Sequence, residues 1–163
     1  GTGVGAGVII NGQSLNGLHA IAGEWGHNPL PWPEDDERPG RPCYCGKLGC
    51  IETWLSGPGI AANFGDGTTA TIEIVKRAEA GDAVAEAYMQ RVEDRVARAL
   101  ATAINILDPD VIVLGGGVSN IARLYANVPK LLPKYVFSEF VETRIAQNIH
   151  GDSSGVRGAA WLW

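Results

Sequence analysis

Long apolar runs are missing from this chain. No stretch approaches the length of a membrane span, and no signal peptide is readable at its start. A basic excess is missing too. Lys and Arg number 13 against 18 Asp and Glu, for a net charge of -5 and a pI near 5.1, which argues against a nucleic-acid-binding surface. Cysteine is absent outside one short window, which suits a reducing compartment better than a disulfide scaffold, so a cytoplasmic protein is expected. The 22 glycines fall in short clusters with no fixed period, and no internal repeat is present. What remains, 163 residues at 45% hydrophobic and 19% charged, is enough for one globular domain with a full core.

The window holding the cysteines carries the chemistry. Glu24-Trp25-Gly26-His27 opens it, a Pro- and acid-rich loop follows, and Cys43-Tyr44-Cys45-Gly46-Lys47-Leu48-Gly49-Cys50-Ile51-Glu52 closes it. Three thiols and one imidazole, Cys43, Cys45, Cys50 and His27, make the Cys3His set of a closed tetrahedral structural zinc site. Zinc suits thiolate and imidazole, and Gly46 and Gly49 let the backbone fold around a short Cys-x-Cys spacing. The bland alternative is three buried, inert cysteines acting as small hydrophobes. Their clustering beside Gly, Lys and Tyr argues against an apolar core. The spacing is not that of a common finger and does not name a fold.

Taken whole, the window resembles the signature of the ROK family of repressors, open reading frames and sugar kinases. That signature pairs Glu-x-Gly-His with Cys-x-Cys-Gly-x-x-Gly-Cys-x-Glu, and both halves are intact here. Further matches are Gly1-Thr2-Gly3-Val4-Gly5-Ala6-Gly7, Leu114-Gly115-Gly116-Gly117, and Gly151-Asp152 through Gly158-Ala159-Ala160. Within the family, Gly23-Glu24-Trp25-Gly26-His27-Asn28-Pro29-Leu30-Pro31-Trp32 resembles bacterial fructokinases of the manno(fructo)kinase type. The loop between His27 and Cys43 is longer than in many members.

The resemblance implies an α/β fold of the actin-like, ribonuclease-H-like ATPase class. Residues 1–163 would be the C-terminal half of a two-domain sugar kinase, with a zinc-binding loop at 27–50 and the N-terminal domain outside this chain. It implies ATP-dependent phosphorylation of a hexose, fructose first, with mannose or glucose as alternatives. Glu24, His27 and Glu52 would bind sugar hydroxyls, Thr2 and Gly3 the ATP phosphates, and Gly115, Gly116 and Gly117 the adenosine. Mg²⁺ would accompany ATP, and a homodimer is implied. The first phosphate motif and the Asp general base are not in this sequence, since Asp66-Gly67-Thr68 has the wrong spacing, so this chain alone is expected to be inactive.

The residues carry plainer readings as well. Gly-Thr-Gly-x-Gly alone is a weak phosphate-loop signal that a tight turn explains equally, and three glycines after a strand can be a plain connector. A lone Glu is more often a solvated or capping acid than a ligand. If zinc takes one nitrogen of His27, the other is fixed as a donor, which suits a sugar hydroxyl beside Glu24. His19 has nothing to recommend it as a ligand. Two rival functions remain: the sugar-sensing effector domain of a ROK-type repressor, and a metal-stapled interaction module.

Coarse structure follows from punctuation and period. Asn11-Gly12 between apolar segments predicts a hairpin. Residues 31–42, with Glu34-Asp35-Asp36-Glu37, read as an exposed loop carrying a solvated charge run. A helix begins at Ile51, is interrupted by Ser56-Gly57-Pro58-Gly59, and resumes over 60–64. Another spans 71–80. A long one starts after an Asp82 cap and stops at Asp108-Pro109, with Val84, Tyr88, Val92, Val96, Ala99, Leu100, Ala103, Ile104 and Leu107 as its core stripe. Residues 110–114 read as a buried parallel strand, 124–135 as a helix broken near Pro129 and Pro133, 143–148 as a last strand and 156–163 as a closing helix. Ser153 and Ser154 read as turn or cap residues.

Overall fold

The computed structural model describes residues 2–151. Gly1, the turn at Ser153 and Ser154, and the closing helix expected over 156–163 lie outside the described residues.

One helix organises the packing. The Asp82 carboxylate accepts hydrogen bonds from the N–H groups of Val84 and Ala85 at 2.9 and 3.2 Å, capping a helix over Ala83–Leu107 (α4). Asp108 ends it in the left-handed conformation at φ 44°. Val92, Val96, Ala99, Leu100 and Ile104 are buried as their spacing requires. Val84 and Leu107, at the two ends of the stripe, stay exposed because the packing partners do not reach them. Four shorter helices surround this one: α1 over Ile51–Leu55, α2 over Gly57–Ala62, α3 over Thr71–Glu79 and α5 over Arg123–Leu131. α1, α3 and α5 pack directly on α4, while α2 lies between α1 and α3. Ile51, Ile60, Ile74, Met89, Leu124 and Leu132 fill the space among them.

Two proline and glycine readings are corrected. The second helix resumes at Gly57, because Ser56 caps it by accepting from the Gly59 N–H at 3.0 Å and Pro58 sits in the first turn, where no donor is needed. Pro129 lies inside α5 without breaking it, and only at Pro133 does the chain pass into a 3₁₀ turn over Leu132–Lys134.

The strands are short. β1 (Ile9–Ile10) and β2 (Gln13–Ser14) form the expected hairpin, with Asn11 and Gly12 at φ 52° and 77° as a primed turn demands. β3 (Val111–Leu114) and β4 (Arg144–Gln147) pair in parallel, Val111 opposite Arg144 and Leu114 opposite Gln147, with α5 between them in the chain. β3 is not buried on both faces. Ile112 and Leu114 pack on the core while Val113 is 56% exposed, because among the described residues helices cover one face of the pair only. No helix among the described residues is long and apolar enough to cross a membrane.

Candidate functional site

The cysteine window folds back on itself through its own backbone. The Cys43 N–H donates to the Lys47 carbonyl at 2.8 Å, Gly46 N–H to Cys43 at 3.0 Å, and Gly49 N–H to Arg41 at 2.9 Å. Gly46, at φ 85°, makes the reversal between the second and third cysteines. The outer strands of the knuckle are tied to the His27 segment, since Leu30 N–H donates to Gly49 and Ile51 N–H to Asn28. These bonds bring the four predicted ligands together. His27, Cys43, Cys45 and Cys50 present ligand atoms all within 4.8 Å of one another. His27 Nδ1 lies 3.5 Å from Cys43 Sγ, and Cys45 Sγ lies 3.6 Å from Cys50 Sγ. A tetrahedral ion about 2.3 Å from each sulfur requires edges of about 3.8 Å, so the cluster is already near the size of a coordination shell. All three thiols are free. The Lys47 backbone N–H lowers the Cys45 thiol pKa, while burial pushes that of Cys50 up. Four soft donors with no fifth position can hold a metal ion and rigidify the loop; they leave no vacancy for a substrate.

The predicted sugar and phosphate residues meet at the edge of this knuckle. Glu52, half-buried at the start of α1, accepts the Val4 N–H at 2.8 Å across 48 residues of sequence. A Cβ on Gly3 would stand 2.6 Å from Glu52 Oε2, so a side chain there would make the carboxylate shift. Thr2 and Gly3 are themselves exposed. The same segment runs against the His27 turn. Ala6 N–H donates to Gly23 at 2.9 Å, and a Cβ on Gly26 would fall 1.9 Å from the Val4 carbonyl oxygen. Glu24 is exposed at the start of that turn. Tyr44, between two of the cysteines, reaches His27 Nε2 at 2.9 Å. Desolvation, and then the negative charges of Glu52, Cys43 and Glu24, raise its phenol pKa. His19 is exposed.

The acid run is where the sequence reading fails. Glu37 is 3% exposed, and the loop is docked on α4. Arg95 Nε donates to Glu37 Oε1 at 2.6 Å, Arg98 Nη1 and Nη2 donate to its two oxygens at 2.9 and 3.0 Å, and Arg91 grips Asp36 with both terminal nitrogens at 2.7 and 2.9 Å. Burial alone would raise the Glu37 carboxyl, but the Arg98 and Arg95 hydrogen bonds prevail and hold it down to about 2. Arg98 also donates to the carbonyls of Pro31 and Trp32, and the Trp32 ring stacks on Tyr135 at 5.6 Å. The signal was available: Arg91, Arg95 and Arg98 recur at helical spacing on one face of the helix. Glu34 and Asp35 stay exposed, with surface pairs to Arg91 at 3.6 Å and to Arg38 at 3.1 Å.

Gly115, Gly116 and Gly117 leave the C-terminal end of β3 and enter a 3₁₀ turn over Gly117–Asn120. Added Cβ atoms at Gly115 and Gly117 would meet nothing within 4 Å, so this turn faces open space. It is held from inside, by Ser119 Oγ donating to Gly116 and Asn148 Nδ2 donating to Leu114. Asp66 spends its carboxylate on a local turn, accepting from Thr68 N–H and Oγ1 at 3.0 and 2.7 Å.

Comparison with known proteins follows the same lines. The sequence model of the ROK family matches residues 1–163. An N-acetyl-D-glucosamine kinase of Aliivibrio salmonicida is 41% identical over 99% of this chain and 56% of its own length. Among solved structures, a ROK family glucokinase from Streptomyces griseus, in complex with glucose and AMPPNP, superposes with a TM-score of 0.81 at 25% identity, covering 99% of this chain and 57% of that one. A ROK family transcriptional regulator, homologous to the E. coli MLC protein, superposes with a TM-score of 0.69 at 26% identity over 88% of this chain and 38% of its own. The chain thus spans about half the length of the relatives it matches. Its fold is that of the actin-like ATPase sugar kinases, as expected.

Proposed function

The chain belongs to the ROK family, and from that premise we propose that the whole protein transfers the γ-phosphoryl of Mg·ATP to a hydroxyl of a hexose. The observation that carries this reading is the contact between Val4 N–H and Glu52. It joins the glycine-rich Thr2–Gly3 segment to a carboxylate held by the cysteine knuckle. A phosphoryl donor and its acceptor must be neighbours, because such transfer depends on positioning and charge neutralisation. Thr2 and Gly3 would offer a hydroxyl and backbone N–H groups to the phosphates, and Gly115, Gly116 and Gly117 a flat approach for the adenosine. Glu24, His27 and Glu52 would take the sugar hydroxyls.

Zinc is the ion we assign to His27, Cys43, Cys45 and Cys50, on donor type and on the spacing of the four ligand atoms. Its contribution is rigidity, holding the His27 ring and the start of α1 in one relation. The general base and the first phosphate motif would lie outside this chain, with which its own N-terminal domain would complete the cleft. A homodimer in the cytoplasm, where the thiols stay reduced, completes the reading.

For the sugar, the run from Gly23 to Trp32 supports fructose, while the similar Aliivibrio protein is an N-acetyl-D-glucosamine kinase. A coupled assay of the whole protein against fructose, mannose, glucose and N-acetylglucosamine decides, with fructose expected to give the highest kcat/KM. No turnover on any of the four overturns the kinase reading. The likeness to a transcriptional regulator supports a second reading, a sugar sensor without phosphoryl transfer. Sugar binding with no binding of an ATP analogue would favour it.

A further inference from the structure

Tyr44 was absorbed by none of the roles above, yet it stands at their centre. Its backbone is fixed, because the residues on either side are Cys43 and Cys45 and the turn is closed by Cys43 N–H to Lys47 and Gly46 N–H to Cys43. Its side chain is 84% exposed, and among the described residues it meets the His27 ring through a hydrogen bond and an edge-to-face contact. His27 Nε2 and the Tyr44 hydroxyl lie 2.9 Å apart, and with a metal on Nδ1, which faces the sulfurs, Nε2 would keep the proton and be the donor. The two rings meet edge to face at 5.0 Å. A hydroxyl seated on Nε2, the nitrogen of His27 that would face a sugar, occupies the place a sugar hydroxyl would take there.

We propose that Tyr44 is a substrate-displaced gate, whose hydroxyl occupies the sugar-hydroxyl position on His27 Nε2 until a hexose takes its place. The inference rests on the assignment of Glu24, His27 and Glu52 to the sugar. One rotation about the Tyr44 side-chain bonds opens the position. The backbone, held at both neighbouring ligands, does not move. Tyr44 therefore competes with every hexose, and it filters them: a sugar must present a hydroxyl that replaces the phenol oxygen, or the gate stays shut.

The test compares the zinc-loaded whole protein with Tyr44→Phe and Tyr44→Ala, reading hexose Kd by titration calorimetry, bound zinc by chelator absorbance, and KM and kcat separately. Removing the competing oxygen is expected to tighten hexose binding and lower KM by about 5-fold, the population ratio one ordinary hydrogen bond maintains. Zinc content and kcat should be unchanged. If Tyr44 merely braced His27, both variants would lose zinc or bind the hexose more weakly, and that result overturns the gate. So does an unchanged Kd in both variants while the wild type binds hexose. A zinc-loaded wild type that binds no hexose overturns the sugar site and the gate together.

Discussion

Glu52 holds the Val4 backbone N–H through Oε2, so charge and geometry can be separated there. Glu52→Gln keeps an acceptor for Val4 but removes the charge. Hydrogen bonds to charged groups are worth enough that hexose Kd should rise about 10- to 100-fold, read by calorimetry on the whole protein. An unchanged Kd would return Glu52 to the role of a backbone clasp. Cys45→Ser removes one of four metal ligands, and affinity should fall by more than the roughly 10- to 100-fold that a lost outer-shell partner costs. Elemental analysis should then find the variant depleted of zinc, with hexose binding weakened in parallel. Zinc-free wild-type protein would sink the metal assignment. These residues were legible in the sequence because a short motif carries its own geometry. Cys43, Cys45 and Cys50 sit on one tight turn, so spacing and position in space nearly coincide.

The loop carrying Glu37 and the helix carrying Arg95 and Arg98 act as one element. Glu37→Gln leaves two buried guanidinium groups short of their counter-charge, an expected loss of about 3 kcal/mol in chemical denaturation at neutral pH. The sign in pH is fixed by the carboxyl, whose pKa falls from 4.5 to about 2 on folding. Its stabilisation is therefore complete above 4.5 and disappears as pH drops toward 2. The gap between wild type and variant should close over that window, and a gap that persisted at its acid end would refute the assignment. Gly26 offers a second check at this scale. Gly26→Ala drives a Cβ into the Val4 carbonyl, which should push the Thr2–Ala6 segment away and weaken hexose binding, while circular dichroism still reports the helices around α4. The docking of the acid loop escaped the sequence reading because its partners lie more than fifty residues away. A charge run on its own looks the same whether it meets water or arginine.

On the scale of the molecule, the face of β3 that the described residues leave uncovered, with Val111 and Val113 exposed, and the Gly115 turn are where we expect the rest of the whole protein and its nucleotide. This chain alone should therefore give no appreciable turnover in a coupled kinase assay with any hexose, whereas the whole protein should. Ordinary kinase rates from the isolated chain would contradict that. The reading of residues 110–114 as a buried strand failed for the same reason. An apolar run records what a strand meets in its complete setting, while the described residues cover only one of its faces.

Local chemistry was legible in order along the chain: the Asn11-Gly12 turn, the Asp82 cap, the long apolar stripe and the three clustered thiols all act between residues within a few turns of each other. Distant pairings were decided only by tertiary structure. Glu52 against Val4, Glu37 against Arg95 and Arg98, and Tyr44 over His27 each depend on where the backbone carries a side chain after folding. Short-range bonding leaves a periodic trace in a sequence, whereas a contact across a folded surface leaves at most one partner's trace, as the arginine row did, and never says which residue it meets.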